Sequence, residues 1–260
     1  MMDKAYSGMR VWRGFRSMDY LENRPRFLNT LKSQFIPQTA QQMMPLGLQA
    51  YFPAIVPKTA CSSLRVVPDE IALVVYPSQS VYEQATQNSV AGRAYGALHG
   101  TAFNFSSDAV TPKSTSDSPL LWQPGWDYGK SYSLFPTAID WRKGSTRVLL
   151  AQPSAELNRL QFYRALDSVV NQWRDKGSTG VDAGILCTEL DWLLYWEHSP
   201  ANKSVEETQG SLIPNIAPLL ETPLINAVAR TVLIPPAFSL PDPGIECDEG
   251  ELLCVTTGLS

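Results

Sequence analysis

The sequence predicts an α+β fold made of two similarly organised halves. Three observations predict it. Short β-rich runs lead three times, through a serine, into a helical stretch. Two further apolar runs stand where return strands are needed. The length, 260 residues with 44% in the hydrophobic set, is enough to bury one large core or two small ones.

The first such run is MRVWRGFRS, from Met9, followed by MDYLENRPRFLNTLKSQF. The second is EIALVVYPS followed by QSVYEQATQNSVAGRAYGALH. The third is TRVLLAQPS followed by AELNRLQFYRALDSVVNQWRDKG. Ser78 and Ser154 each follow a proline and suit an N-cap, where a hydroxyl oxygen accepts an orphaned backbone N–H. Ser80 and Glu83 also fit a capping box. In the third helix Phe162, Leu166, Val169, Val170 and Trp173 recur at helical spacing, and Lys176-Gly177 marks its end.

The runs LGLQAYFPAIVP and GTAFNF supply two more strands, so residues 9–106 read β-α-β then β-α-β, the ferredoxin-like order. A second half over 145–235 repeats it: a strand at 146–152, a helix at 155–176, the stretch DAGILCTELDWLLYWEH, a fourth helix in LETPLINAVARTV and a terminal strand in VLIPPA. The stretch 182–198 stays open between strand or hairpin and helix. Strand alternation puts Leu186, Leu190, Trp192, Leu194, Trp196 and His198 on one face. Residues 107–144 connect the halves, Ser/Pro-rich at first and then ring-rich in LLWQPGWDYGKSY. Residues 236–260 form a Pro-rich, acidic tail, read as an extended arm or a disordered segment.

Tandem βαββαβ halves over roughly residues 9–235 resemble the dimeric α+β-barrel superfamily in element order and length. The resemblance implies an α+β barrel-like or packed-sheet arrangement. It also implies small-molecule chemistry of the monooxygenase, cyclase or lyase kind, or haem binding. No residue role carries over from it, because no sequence motif is shared.

Composition excludes several classes. No run of about 18 apolar residues offers a membrane span. The N-terminus lacks an apolar signal core, so a cytoplasmic protein is expected. Cys61, Cys187, Cys247 and Cys254 form no C-x-x-C and read as free thiols. The net charge of -4 hides a gradient. Residues 1–68 hold nine Lys/Arg against three Asp/Glu, and residues 177–260 hold two against twelve. Opposed ends can attract each other within one chain or between subunits, so a homodimer is an open arrangement. Arg10, Arg13, Arg16, Arg24 and Arg26 alternate with core-like residues, so nucleic-acid binding is not expected. P-loop, dinucleotide, nucleophile-elbow and zincin motifs are all missing.

The candidate site centres on GRAYGALHG. Gly92, Gly96 and Gly100 recur every four residues and leave one helix face smooth, with Tyr95 and His99 one turn apart beside it. A flat cofactor or substrate could lie there, with His99 as general base or axial haem ligand and Tyr95 as proton donor or anchor. Tight helix packing, with His99 closing the helix end, explains the same residues. Glu189 and Asp191 stand two apart in an apolar stretch, either as an acid/base pair or as a hairpin turn. Trp122, Trp126 and Tyr128 roof a pocket, strap a core or face a partner. Arg16, with Arg13 and Arg93, could hold an anion. His198 is the alternative haem ligand, and with two histidines a three-His metal site is impossible. The expectation is a small-molecule enzyme acting on an apolar or aromatic metabolite by proton-transfer or oxygen chemistry. A haem protein and a non-enzymatic assembly protein are the alternatives.

Overall fold

Strand pairing divides the chain into two compact units, one of residues 7–118 with 230–260, the other of residues 1–6 with 119–229. The computed structural model describes residues 8–57, 67–107, 110–177, 180–189, 191–200, 210–228, 230–234 and 253–257, with side chains up to residue 228. The fold is α+β.

In the first unit β1 (Met9–Gly14) leads into a helical segment containing α1 (Arg24–Thr30) and α2 (Ile36–Gln38). Then come β2 (Ala50–Ile55), β3 (Glu70–Val75), α3 (Gln79–Glu83), α4 (Val90–Ala102) and β4 (Thr115–Asp117). The strands lie in the order β2-β3-β1-β4, every pair antiparallel. That is the ferredoxin-like βαββαβ arrangement. The fourth strand is not GTAFNF, as expected, because α4 runs through Ala102, where Phe103 N–H still bonds the His99 carbonyl at 2.8 Å. It comes instead from the Ser/Thr/Pro stretch, which Arg13 anchors through Thr115 Oγ1 (2.9 Å) and an ion pair with Asp117.

The second unit repeats the arrangement with β7 (Ser145–Ala151), α5 (Arg159–Lys176), β8 (Ala183–Thr188), β9 (Leu193–Ser199), α6 (Ile213–Ile216) and β10 (Ile225–Val228). Its order is β10-β7-β9-β8, again antiparallel throughout. The open stretch 182–198 is a hairpin. Its register pairs Leu186 with Tyr195 and Cys187 with Leu194, so the turn swaps the parity of the faces. Leu186 therefore packs with Leu193 and Tyr195 against α5, not with Leu194 and Trp196. Leu190 lies outside the described residues. The expected fourth helix in 220–232 is β10 and the start of another strand. Ile225, Ala227 and their neighbours pair with β7, and that tertiary pairing overrides a helical pattern.

Each sheet gains two strands beyond its four. β5 (Leu120–Leu121) and β6 (Ser131–Ser133), from the ring-rich stretch, run parallel to each other, and β6 pairs with β8. β11 (Arg230–Ile234) and β12 (Leu253–Thr257) do the same beside β2, so part of the expected tail is a strand. Helix starts follow local chemistry. Ser78 and Ser89 cap α3 and α4, and Asn158 with Gln161 forms a full capping box on α5, four residues beyond the expected Ser154.

Candidate functional site

The first unit holds a cavity of about 330 Å³ between one face of its sheet and its helices. Register explains the sheet wall. Arg10 faces Val74, Trp12 faces Ala72 and Ser116, and Tyr51 faces Val74, so these side chains share one face. Helical spacing explains the other wall. Gly92, Tyr95, Gly96 and His99 fall on one stripe of α4 and all line the cavity. Phe35, Thr39 and Met43 complete it from two π-helical turns, Leu31–Phe35 and Thr39–Met43. Pro37, between these turns, has no N–H for the regular ladder. π-Turns recur at functional sites because they re-aim side chains.

The glycines have separate reasons. A Cβ on Gly92 would sit 1.8 Å from the Ala85 carbonyl oxygen, so the close approach of the turn before α4 demands glycine there. A Cβ on Gly96 or Gly100 would meet nothing within 4 Å. Gly96 also lines the cavity.

His99 is half-buried among Tyr95, Phe35, Trp12 and Phe103, with ring centroids at 4.4, 4.6, 5.5 and 6.3 Å. Its Nδ1–H donates to the Tyr95 carbonyl at 2.9 Å, within the last turns of α4. Nδ1 being the donor, Nε2 carries the lone pair, and it has no hydrogen-bond partner among the described residues. Burial in this aromatic setting pushes the imidazole pKa down to about 4, the Tyr95 carbonyl opposing the shift. Helix-end bonding and a place in the cavity wall thus occur together in His99.

Tyr95 is less free. Its hydroxyl bonds Thr39 Oγ1, which itself donates to the Phe35 carbonyl at 2.8 Å. The Tyr95 proton is therefore committed to Thr39, leaving a lone pair as its only offering. Burial holds its phenol well above the usual range. Tyr76 also lines the cavity, and its hydroxyl has no hydrogen-bond partner among the described residues. Arg10 stacks on the Tyr82 ring at 4.0 Å and bonds Gln79.

One important residue was not anticipated from sequence. Glu70, at the start of β3, is fully buried. Its carboxylate accepts from the Tyr51 hydroxyl at 2.9 Å and from Trp12 Nε1 at 3.0 Å, and both of those rings line the cavity. Burial raises its pKa to about 7, against the lowering effect of the two hydrogen bonds. A glutamate heading EIALVV resembles an ordinary polar strand end. Only strand register brings two ring donors onto it.

Other anticipated residues fall elsewhere, and none of them lines this cavity. The Arg16 side chain and backbone N–H bind Asp69, which also pairs with Arg24. Glu189 and Asp191 sit in the β8–β9 turn, where Glu189 N–H bonds the Trp192 carbonyl at 2.9 Å. Trp122 and Trp126 are each 2% exposed and belong to the second unit's core. Trp126 stacks on Tyr163 of α5 at 4.5 Å, and Trp122 Nε1 donates to Asn171 at 3.0 Å. A partner surface made from these two rings would require exposure. Tyr128 is half-buried and borders, with Trp126, Arg159 and Tyr163, an open surface depression. His198 has both ring nitrogens engaged, Nδ1 by Asp182 at 2.6 Å and Nε2 by the Lys143 carbonyl, so neither is left for an iron. Among the described residues no helix is long and apolar enough to cross a membrane, and no cluster of three metal-ligating side chains is present.

No protein-family model and no curated protein matches the chain. Solved structures do resemble it at low identity. A "putative monooxygenase" from Fusobacterium nucleatum subsp. nucleatum ATCC 25586 has a TM-score of 0.37 at 11% identity, covering 85% of this chain and 88% of its own. A protein of the same description from Lactobacillus acidophilus NCFM has a TM-score of 0.35 at 6% identity, covering 85% and 90%. An anthrone oxidase-like protein has a TM-score of 0.32 at 8% identity, covering 83% and 87%. Similarity this weak carries no argument about function, which rests on the chain's own residues.

Proposed function

We propose that the first unit is a small-molecule enzyme. It holds a flat, largely apolar, ring-containing compound in the cavity and removes a weakly acidic proton from it with His99 Nε2. The observation that carries this reading is the neutral imidazole, with an unpartnered Nε2, in a ring-walled cavity of ligand size. The low pKa keeps His99 ready as acceptor at neutral pH. The imidazolium it becomes is stabilised by the anion left beside it in an apolar site. Tyr76 offers a hydrogen bond to an oxygen on the ligand. The electron-rich anion then isomerises, expels a group, cyclises or meets dioxygen. Two ferredoxin-like units in one chain support grouping it with the α+β-barrel superfamily that its element order resembles.

The test uses 2-tetralone, a bicyclic ketone with an acidified C–H, in D₂O, with C–H to C–D exchange followed by NMR. The protein should accelerate exchange over buffer. His99→Ala should abolish the acceleration. Acceleration that survives His99→Ala would overturn the assignment. The same free Nε2 supports a second reading, axial ligation of haem, since a ligating imidazole is commonly held through its other nitrogen by a carbonyl. A Soret band after haem feeding that vanishes in His99→Ala would favour it.

A further inference from the structure

We propose that Glu70, acting through the Tyr51 hydroxyl, is a proton store for the cavity and serves the sheet wall as His99 serves the helix wall. The inference rests on the reading of His99 as base and extends it. The site then relocates a proton on its substrate instead of only removing one.

The geometry is a short chain of groups. Tyr51 lines the cavity, and its hydroxyl reaches Glu70 Oε1 at 2.9 Å behind it. Trp12 Nε1 fixes the other oxygen at 3.0 Å and holds the carboxyl plane in place. When Glu70 is ionised, the Tyr51 hydrogen is drawn back to the carboxylate. When Glu70 is protonated, its own O–H can donate to the Tyr51 oxygen, and the Tyr51 hydrogen can turn to the cavity. The protonation state of a residue outside the cavity thus sets whether a donor faces the ligand. This is a positioning role, since Glu70 itself does not line the cavity.

The proton balance is simple for a ketone. The C–H proton passes to His99 Nε2, and its electron pair forms the enol double bond. The carbonyl oxygen takes the Tyr51 proton, and Tyr51 is refilled from the Glu70 carboxyl. His99 ends protonated and Glu70 ionised. His99 then loses a proton to water and Glu70 gains one, with no change of oxidation state. The groups that face Glu70 are consistent with storage. β1 contributes Trp12 and β2 contributes Tyr51, while from α4 Tyr95 feels the Glu70 charge. His99 and Arg10 line the same cavity. Arg16 and Arg24 are paired with the adjacent Asp69.

The test is the pH profile of 2-tetralone exchange in the full chain. Wild type should need neutral His99 and protonated Glu70. The rate should rise through about pH 4 and fall through about pH 7. Glu70→Gln should lower the plateau on the order of a hundredfold, the usual scale of one proton-transfer group, and remove the alkaline limb. Tyr51→Phe should lower it similarly. Infrared spectra should show a buried carboxylic acid C=O band in wild type that disappears as pH rises through about 7. In Tyr51→Phe that transition should move upward, because a hydrogen bond that favours the carboxylate is gone. This second measurement stands even if Glu70→Gln does not fold. Exchange that needs His99 but keeps its rate and alkaline limb in both variants overturns the proton store alone. No His99-dependent exchange overturns the base and the store together.

Discussion

Replacing Glu70 by glutamine changes how stability depends on pH, and the size of the effect follows from burial. The carboxyl titrates near 4.5 when unperturbed and near 7 in the fold, chiefly because burial disfavours its charge. Between those values the native state binds the proton more than the unfolded chain does, so wild-type stability falls as pH rises. Below the lower value the penalty is absent, and above the upper one it is complete. At about 1.4 kcal/mol per pKa unit, the full penalty is about 3 kcal/mol. His99 acts in the opposite sense. Its pKa is lowered to about 4, so its neutral form is stabilising at neutral pH, and that contribution is lost as pH falls from 6.5 towards 4. Both proteins contain His99, so its effect cancels in their difference. Urea unfolding of wild type and Glu70→Gln at closely spaced pH values from about 4 to 9 measures that difference. Glutamine should gain on wild type by about 3 kcal/mol across this window, whatever constant offset its mismatched hydrogen bond to Trp12 introduces. A difference that stays flat with pH would refute the buried, proton-holding carboxyl.

The glycines of α4 should behave differently from one another. Gly92→Ala should destabilise by at least about 2 kcal/mol, since its Cβ has nowhere to go beside the Ala85 carbonyl, whereas Gly96→Ala should leave stability unchanged or raise it by up to about 1 kcal/mol. Thermal melts of the pair give the sign directly. Trp126→Ala should cost about 3–5 kcal/mol, because the ring is core and stacks between Trp122 and Tyr163. Trp126→Phe should cost much less, since Trp126 Nε1 is buried with no hydrogen-bond partner among the described residues. Chemical unfolding monitored by near-UV circular dichroism distinguishes the two.

Local chemistry written in the chain determined the leading elements of each half. Short β-rich runs mark β1 and β7 and i, i+3, i+4 apolar spacing marks the Phe162–Trp173 face of α5, while serine and lysine-glycine punctuate the helices. The smooth stripe with Tyr95 and His99 was legible for the same reason, since helical spacing alone places both on one side. Tertiary pairing decided the rest. Whether 225–228 is helix or strand depends on an edge offered by β7, some 75 residues earlier in the chain. Trp122 and Trp126 of LLWQPGWDYGKSY are buried because α5 gives them Asn171 and Tyr163 to pack on. Glu70 is the sharpest case. Nothing within EIALVV separates a solvated strand end from a buried acid. The register that sets β3 between β1 and β2 brings Trp12 and Tyr51 onto that carboxylate and takes water away from it. A charge's neighbours in space, not in sequence, decide what it costs to bury and what it can do.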